Sequence, residues 1–249
     1  MEQVARGQLT TGVLAMNHIW PDAVDVAIKA GVDHMIVDME HSPSSLEAVA
    51  TVCTLGRQVG FPILVRPRAN DYNTLRLAID LGPCGLLLAA IESAGDLDVV
   101  RDAVHLPPRG KRRPGGLGNR WVADFSYESF KEHVEDRFIV LPQIETLQGL
   151  KNVAEIAAHE LSTSIAIGPY DLSAELGVCG QMQHPKLWEA IETIHAAGRA
   201  AGKAMWMIGD GAQLVERGFH FICIGELTMM LEDAVRQKAE QAAAARPEG

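Results

Sequence analysis

The sequence predicts an α/β fold of one domain, a single (β/α)8 TIM barrel, and three observations carry that expectation. Short apolar runs of β type alternate strictly with stretches of helical periodicity, and the alternation repeats eight times. A length of 249 residues is near the usual size of such a barrel. Near-continuous apolar strands in βαβα order imply a parallel sheet covered on both faces. The open doubly wound sheet is the rival. Yet no G-x-G-x-x-G follows the first strand, so the usual nucleotide loop of that fold is missing.

Taken in order, the strands are read at 12–16, 34–38, 62–66, 85–88, 138–143, 164–167, 204–207 and 221–224. Between them, Ala23, Val26, Ala27 and Ala30, then Leu46, Val49, Ala50 and Cys53, recur at the spacing of one helix face. Gly31, Gly60, Gly82, Gly202 and Gly218 stand between a helical stretch and the next strand, where a left-handed residue closes a helix. The Ala-rich tail, 237–249, reads as the end of a last helix fraying into a polar terminus.

Hydrophobic residues make up 47% of the chain and charged residues 22%, enough apolar surface for a full core. Cys53, Cys84, Cys179 and Cys223 form no CxxC pair, so neither a zinc knuckle nor a disulfide framework is suggested and reduced thiols are expected. The N-terminal MEQVARGQLTTG lacks the apolar core of a signal peptide, and no apolar run approaches the roughly 18 residues that cross a bilayer. The expectation is a cytoplasmic protein with no membrane partner. A formal net charge of −10 argues against nucleic acid as a partner, since general phosphate-backbone binders carry a basic face.

In such a barrel chemistry sits at the C-terminal ends of the strands, and polar groups collect there unevenly. Strand two ends in Asp38-Met39-Glu40-His41, strand three in Arg66, strand five in Gln143-Ile144-Glu145, and strand six leads into Gly168-Pro169-Tyr170-Asp171. Glu145 and Asp171 offer two hard oxygen ligands from neighbouring strands, which suits Mg2+ or Mn2+. Equally, each carboxylate is placed to cap the helix that follows. His41, three residues after Asp38, reads as an acid/base group oriented by that carboxylate, or as a surface histidine in the turn Ser42-Pro43. Arg66 reads as an anion or enolate site, or as the partner of Glu40 in a structural ion pair. Gln143 either donates to a substrate or satisfies a loop carbonyl.

Backbone amides after Gly168-Pro169 enter a helix, a geometry that can cradle a carboxylate, although glycine and proline there also shape turns. The basic stretch from Arg109 to Gly116 reads as a solvated or subunit-contacting loop, with a flap over an acidic substrate as its alternative. His18 ends the first strand, where a lone histidine is more often structural.

Together, VDMEHSP, ILVRPRAND, LPQIETLQGL and IGPYDLSAELG resemble the HpcH/HpaI family of class II, metal-dependent 2-oxo acid (pyruvate) aldolases. The resemblance runs in register from about 12 to 231. It implies that Glu145 and Asp171 ligate a divalent metal (Mg2+, Mn2+ or Co2+). It implies that His41 is the acid/base group with Asp38 as partner, that Arg66 stabilises the enolate, and that Gln143 faces substrate. The amides of Tyr170 and Asp171 would hold the pyruvate carboxylate. It also implies a homo-oligomer, a hexamer in most members, and the C-terminal helix is expected to pack on a neighbouring subunit.

Several positions depart from the family pattern. Tyr170 replaces the alanine of GPADLS, Leu88-Ala89-Ala90-Ile91 stands where VPMV-like sequences are common, and Arg113-Pro114 alters the usual RG. Gly225-Glu226-Leu227 replaces a GSD-like pattern, and the first βα loop is about two residues longer than usual.

The expected reaction is reversible cleavage of a 4-hydroxy-2-oxo acid to pyruvate and an aldehyde. The sequence also admits oxaloacetate decarboxylation by the same residues and, from another class, a non-catalytic metal- and oxo-acid-binding protein. A Schiff-base aldolase would need a lysine inside the barrel; the sixth strand has none, and Lys203 precedes the seventh at its closed end.

Overall fold

The computed structural model describes residues 1–17, 19–123 and 125–245. A short α1 (Glu2–Ala5) precedes β1 (Thr10–Ala15), α2 (Asp22–Ala30), β2 (His34–Asp38), α3 (Leu46–Val59), β3 (Ile63–Arg66), α4 (Tyr72–Asp80), β4 (Gly85–Leu88) and α5 (Ala94–Val104). The second half runs α6 (Tyr127–His133), β5 (Ile139–Ile144), α7 (Leu147–Lys151), α8 (Val153–Ala158), β6 (Ser164–Ile167) and α9 (Pro169–Glu175). It ends with α10 (Pro185–Ala200), β7 (Ala204–Ile208), α11 (Gly211–Glu216), β8 (Phe221–Glu226) and α12 (Leu227–Ala244). The strands pair in parallel in chain order and β8 closes on β1, so the expected eight-stranded barrel forms. Its strands lie within two residues of the positions read from sequence.

Strand parity divides the core. Leu14, Ile36, Leu64, Leu87, Leu141 and Trp206 point inward and fill the barrel, while alternate residues such as Val13, Val37 and Val65 pack under the helices. Val4 of α1 joins the interior cluster at the N-terminal end. In the layer at that end, the His34 ring occupies the space above Gly12, where any Cβ would lie 2.2 Å from the imidazole. Trp206 Nε1 donates to His34 Nε2 at 3.4 Å.

The helix ends follow the sequence signals. All five expected capping glycines adopt a left-handed φ, from 69° at Gly202 to 88° at Gly82. At the other ends Ser45 and Asp71 accept backbone N–H bonds at the starts of α3 and α4. The last helix extends to Ala244, well into the tail expected to fray. It carries no buried residue, and Met229, Leu231 and Val235 stay exposed along it. Among the described residues no helix is long and apolar enough to cross a membrane.

The basic stretch keeps to the loop expectation and departs from the flap alternative. Lys111, Arg113, Pro114 and Gly116 are exposed, as a solvated loop requires, but the segment is pinned: Arg109 pairs with Glu135 and Asp136, Lys111 with Asp102, and Arg112 with Asp80. Arg112 is 1% exposed. These acids stand at the ends of α4 and α5 and just before β5, so the segment is tied to the N-terminal face, away from the strand C-termini.

Candidate active site

Parity and register assemble the site before any side chain is considered. Asp38 shares inward parity with Ile36, and Arg66 with Leu64, and the two end residues are direct partners in the β2–β3 ladder. Arg66 Nε donates to Asp38 Oδ1 at 2.9 Å and Nη2 to Oδ2 at 2.5 Å, a bidentate pair with Asp38 fully buried. Asp38 Oδ1 also accepts the N–H groups of Glu40 (2.9 Å) and His41 (3.4 Å). Burial disfavours the Arg66 charge, but Asp38, with Glu40 and Glu145 adding, outweighs it and holds the guanidinium above its ordinary pKa.

This corrects the expected Asp38–His41 dyad. The Asp38 carboxylate is committed to Arg66 and to backbone amides, and it fixes the turn that carries His41 instead of orienting the imidazole. The carboxylate facing the His41 ring is Glu40, whose Oε2 lies 3.8 Å from Nε2 and 3.4 Å from Arg66 Nε. The alternative Arg66–Glu40 ion pair therefore also forms, as the longer of two.

Glu145 follows β5 and is 6% exposed. Its Oε1 accepts the Ala90 N–H at 2.6 Å and its Oε2 accepts from Gln143 Nε2. Burial raises the Glu145 pKa above the usual carboxylate range; the two hydrogen bonds oppose the shift, and the charges of Asp171 and Glu40 reinforce it. Gln143 thereby gives its amide to Glu145 and not to a loop carbonyl, and its buried Oε1 has no partner among the described residues. Gly168 is required here, because a Cβ would lie 2.2 Å from Glu145 Oε2 and 2.5 Å from Gln143 Nε2.

Neither carboxylate is a helix cap. Thr146 caps α7 by accepting from Gly149 N–H at 3.0 Å, and α9 begins at Gly168 without a side-chain cap, leaving Asp171 exposed in its first turn. The N–H groups of Tyr170 and Asp171 have no protein acceptor among the described residues. Ser173 holds α9 in place: its hydroxyl donates to Tyr170 O at 2.6 Å and accepts from Gly180 N–H at 2.9 Å.

These elements border one cleft of about 780 Å3 at the C-terminal mouth, with His41, Arg66, Gln143, Gly168, Tyr170 and Asp171 in its wall. The rest of the lining is largely apolar, from Met16, Met182, Ile208, Ile224, Met229 and Met230, with the carboxylates of Asp210, Glu226 and Asp233 among them. The family model described as HpcH/HpaI aldolase/citrate lyase matches residues 16–234. The chain belongs to that family.

Known members agree with this placement. Hydroxypyruvate/pyruvate aldolase of Pseudomonas aeruginosa is 32% identical over 227 residues, covering 88% of this chain and 83% of that protein. 4-Hydroxy-2-oxo-heptane-1,7-dioate aldolase of Escherichia coli is 31% identical, with 88% and 86% covered. Among solved structures, an HpcH/HpaI aldolase from Desulfitobacterium hafniense DCB-2 superposes with a TM-score of 0.89 at 24% identity, over 99% of this chain and 96% of that one, and shares the barrel.

Three participants in this part of the molecule carry no signal of their role in the sequence. Ala90 has φ 49°, the one non-glycine positive value among the described residues, and that turn delivers its N–H to Glu145. Asn70 supports the same turn by donating to Ala89 O at 2.7 Å. Glu226, noted only as a departure, lines the cleft, caps α12 through Met229 N–H at 2.9 Å and accepts Met16 N–H at 3.3 Å. His18 lies outside the described residues.

Proposed function

We infer that this protein is a class II aldolase that reversibly cleaves a 4-hydroxy-2-oxo acid to pyruvate and an aldehyde. The observation that carries the reading is Glu145: buried, raised in pKa by its surroundings and by Asp171, and next to the orphaned Gln143 Oε1. Oxygen donors that repel one another in the bare protein fit a divalent cation. Glu145 and Asp171 would hold it, as Mg2+, Mn2+ or Co2+. When bound, such an ion supplies Lewis-acid stabilisation of charge growing on the keto oxygen.

The chain's own groups account for the rest. Arg66, locked by Asp38, presents a fixed cation to the enolate oxygen. The free N–H groups of Tyr170 and Asp171 are placed to receive the substrate carboxylate. His41, in the same cleft, takes the proton from the C4 hydroxyl. The C3–C4 bond then breaks, its electron pair forms the enolate, C4 leaves as the aldehyde, and protonation at C3 gives pyruvate.

A homo-oligomer is part of the same reading, supported by the apolar residues that α12 leaves uncovered beside the cleft. The test of function is pyruvate release from a panel of 4-hydroxy-2-oxo acids by metal-stripped protein, with and without added Mg2+, Mn2+ or Co2+. Metal-restored release that Glu145→Ala abolishes is the expected result. Pyruvate from oxaloacetate alone would replace this reading with decarboxylation. An oxo acid bound without turnover under any metal would leave a binding protein.

A further inference from the structure

At the opposite face of the barrel, the turns that lead into β7 and β8 enclose, with α1, a cleft of about 560 Å3. Small-molecule sites span roughly 300–1,000 Å3, so the space suits a compact ligand. Its ionisable lining is basic throughout: His195 and Arg199 of α10, Lys203 before β7, and Arg217 and His220 before β8. None of the fourteen lining residues is Asp or Glu. That is contrary to composition, since the chain holds 32 acidic residues against 22 Lys and Arg.

The cations are also held without counter-charge. Among the described residues Arg199, Lys203 and Arg217 take part in no ion pair. Aromatic platforms fix two of the groups: the Arg217 guanidinium sits 3.6 Å from the Trp188 ring centre, and the His195 ring stacks on Phe219 at 4.7 Å and 16°. The bland account is that Arg199 and Arg217 complement the C-terminal dipoles of α10 and α11. Each helix end supplies only about half a negative charge. At His195, burial pushes the pKa down and the charges of Arg199 and His220 add to it, so the basic groups of the cleft act on one another.

We propose that this cleft binds a small polyanion, a molecule with two or more phosphate or carboxylate groups. It shares no residue with the mouth of the barrel, and it stands independently of the aldolase reading. The ligand's oxygens bridge the α10 end and the two turns, neutralising groups that otherwise repel one another. Arg217, already braced by Trp188, loses little freedom on binding.

The test is calorimetric titration of the full-length, metal-free protein with pyrophosphate and, separately, with citrate, at constant ionic strength. Saturable binding of either is expected, weakened at least about tenfold in the double variant Arg199→Ala/Lys203→Ala. Lys203→Arg, which keeps the charge, should bind as the parent does, and Lys238→Ala should leave affinity unchanged. Preference for pyrophosphate assigns a phosphate ligand, and preference for citrate a carboxylate one. Circular dichroism melts and aldolase assays of the variants check that the fold is intact. No saturable binding of either anion overturns the proposal. So does binding that survives the double variant, or a double variant that changes only the oligomeric state.

Discussion

Asp38 and Arg66 face one another across the β2–β3 ladder and share two hydrogen bonds, at 2.9 and 2.5 Å, in a place where both are buried. Removing one partner strands a buried charge, which costs about 3–5 kcal/mol, whereas removing both does not. Asp38→Asn should therefore destabilise the protein by about 3 kcal/mol, and Asp38→Asn combined with Arg66→Gln should cost clearly less than the sum of the two single losses. Urea unfolding of the three variants measures this. Additive losses would show that the pair is not the coupled unit described.

Gly168 lets the chain leaving β6 pass close to the Gln143 and Glu145 side chains at the end of β5. A methyl group there meets Glu145 Oε2 at 2.2 Å, Gln143 Nε2 at 2.5 Å and Glu145 Cβ at 2.8 Å, and must displace these two side chains. Misplacing a site group by about 1 Å costs on the order of a hundredfold in rate, so Gly168→Ala should lose about that in kcat/KM and weaken divalent-metal affinity in parallel. Steady-state assays and a metal titration decide it; unchanged metal affinity would separate Glu145 from the cation.

What the sequence made legible follows from what is local. Apolar runs and capping glycines report backbone state within a few residues, so all eight strands and five helix ends were placed. Residues ending each strand were equally legible as mouth residues, which brought Arg66, Gln143, Glu145 and Asp171 together. Partner choice was not. Three-residue spacing puts His41 near Asp38, but strand parity turns the Asp38 side chain inward to Arg66, 28 residues away. The ion pairs of Arg109 and Arg112 join segments equally distant in sequence. A backbone N–H such as that of Ala90 leaves no signature at all.

Ala90 itself carries strain. Holding an alanine at φ 49° costs about 1–2 kcal/mol, while glycine there adds roughly 0.5–1 kcal/mol of unfolded-state entropy. Ala90→Gly should thus stabilise the protein by about 0.5 kcal/mol and keep activity, because the N–H to Glu145 remains. Paired urea unfolding and pyruvate-release assays check both halves. A loss of activity with the fold intact would mean that the methyl group, not only the amide, shapes the site.

His34 gives the barrel a pH dependence of its own. Burial among apolar side chains lowers its pKa to about 4, whereas the unfolded chain titrates near 6.5. Between those values the unfolded state binds a proton that the native state refuses, so stability rises with pH across the window and is lost as pH falls through it. At about 1.4 kcal/mol per pH unit, His34 should remove on the order of 2 kcal/mol between pH 7 and pH 5. His105, also lowered to about 4 by burial and by Arg109, adds in the same direction. His34→Gln should therefore show a shallower loss of urea stability over that interval, whatever its cost at pH 7, because only the slope reports the proton. An identical slope in the variant would mean that the imidazole is charged in the folded barrel or solvated by a rearrangement around Trp206 and Gly12.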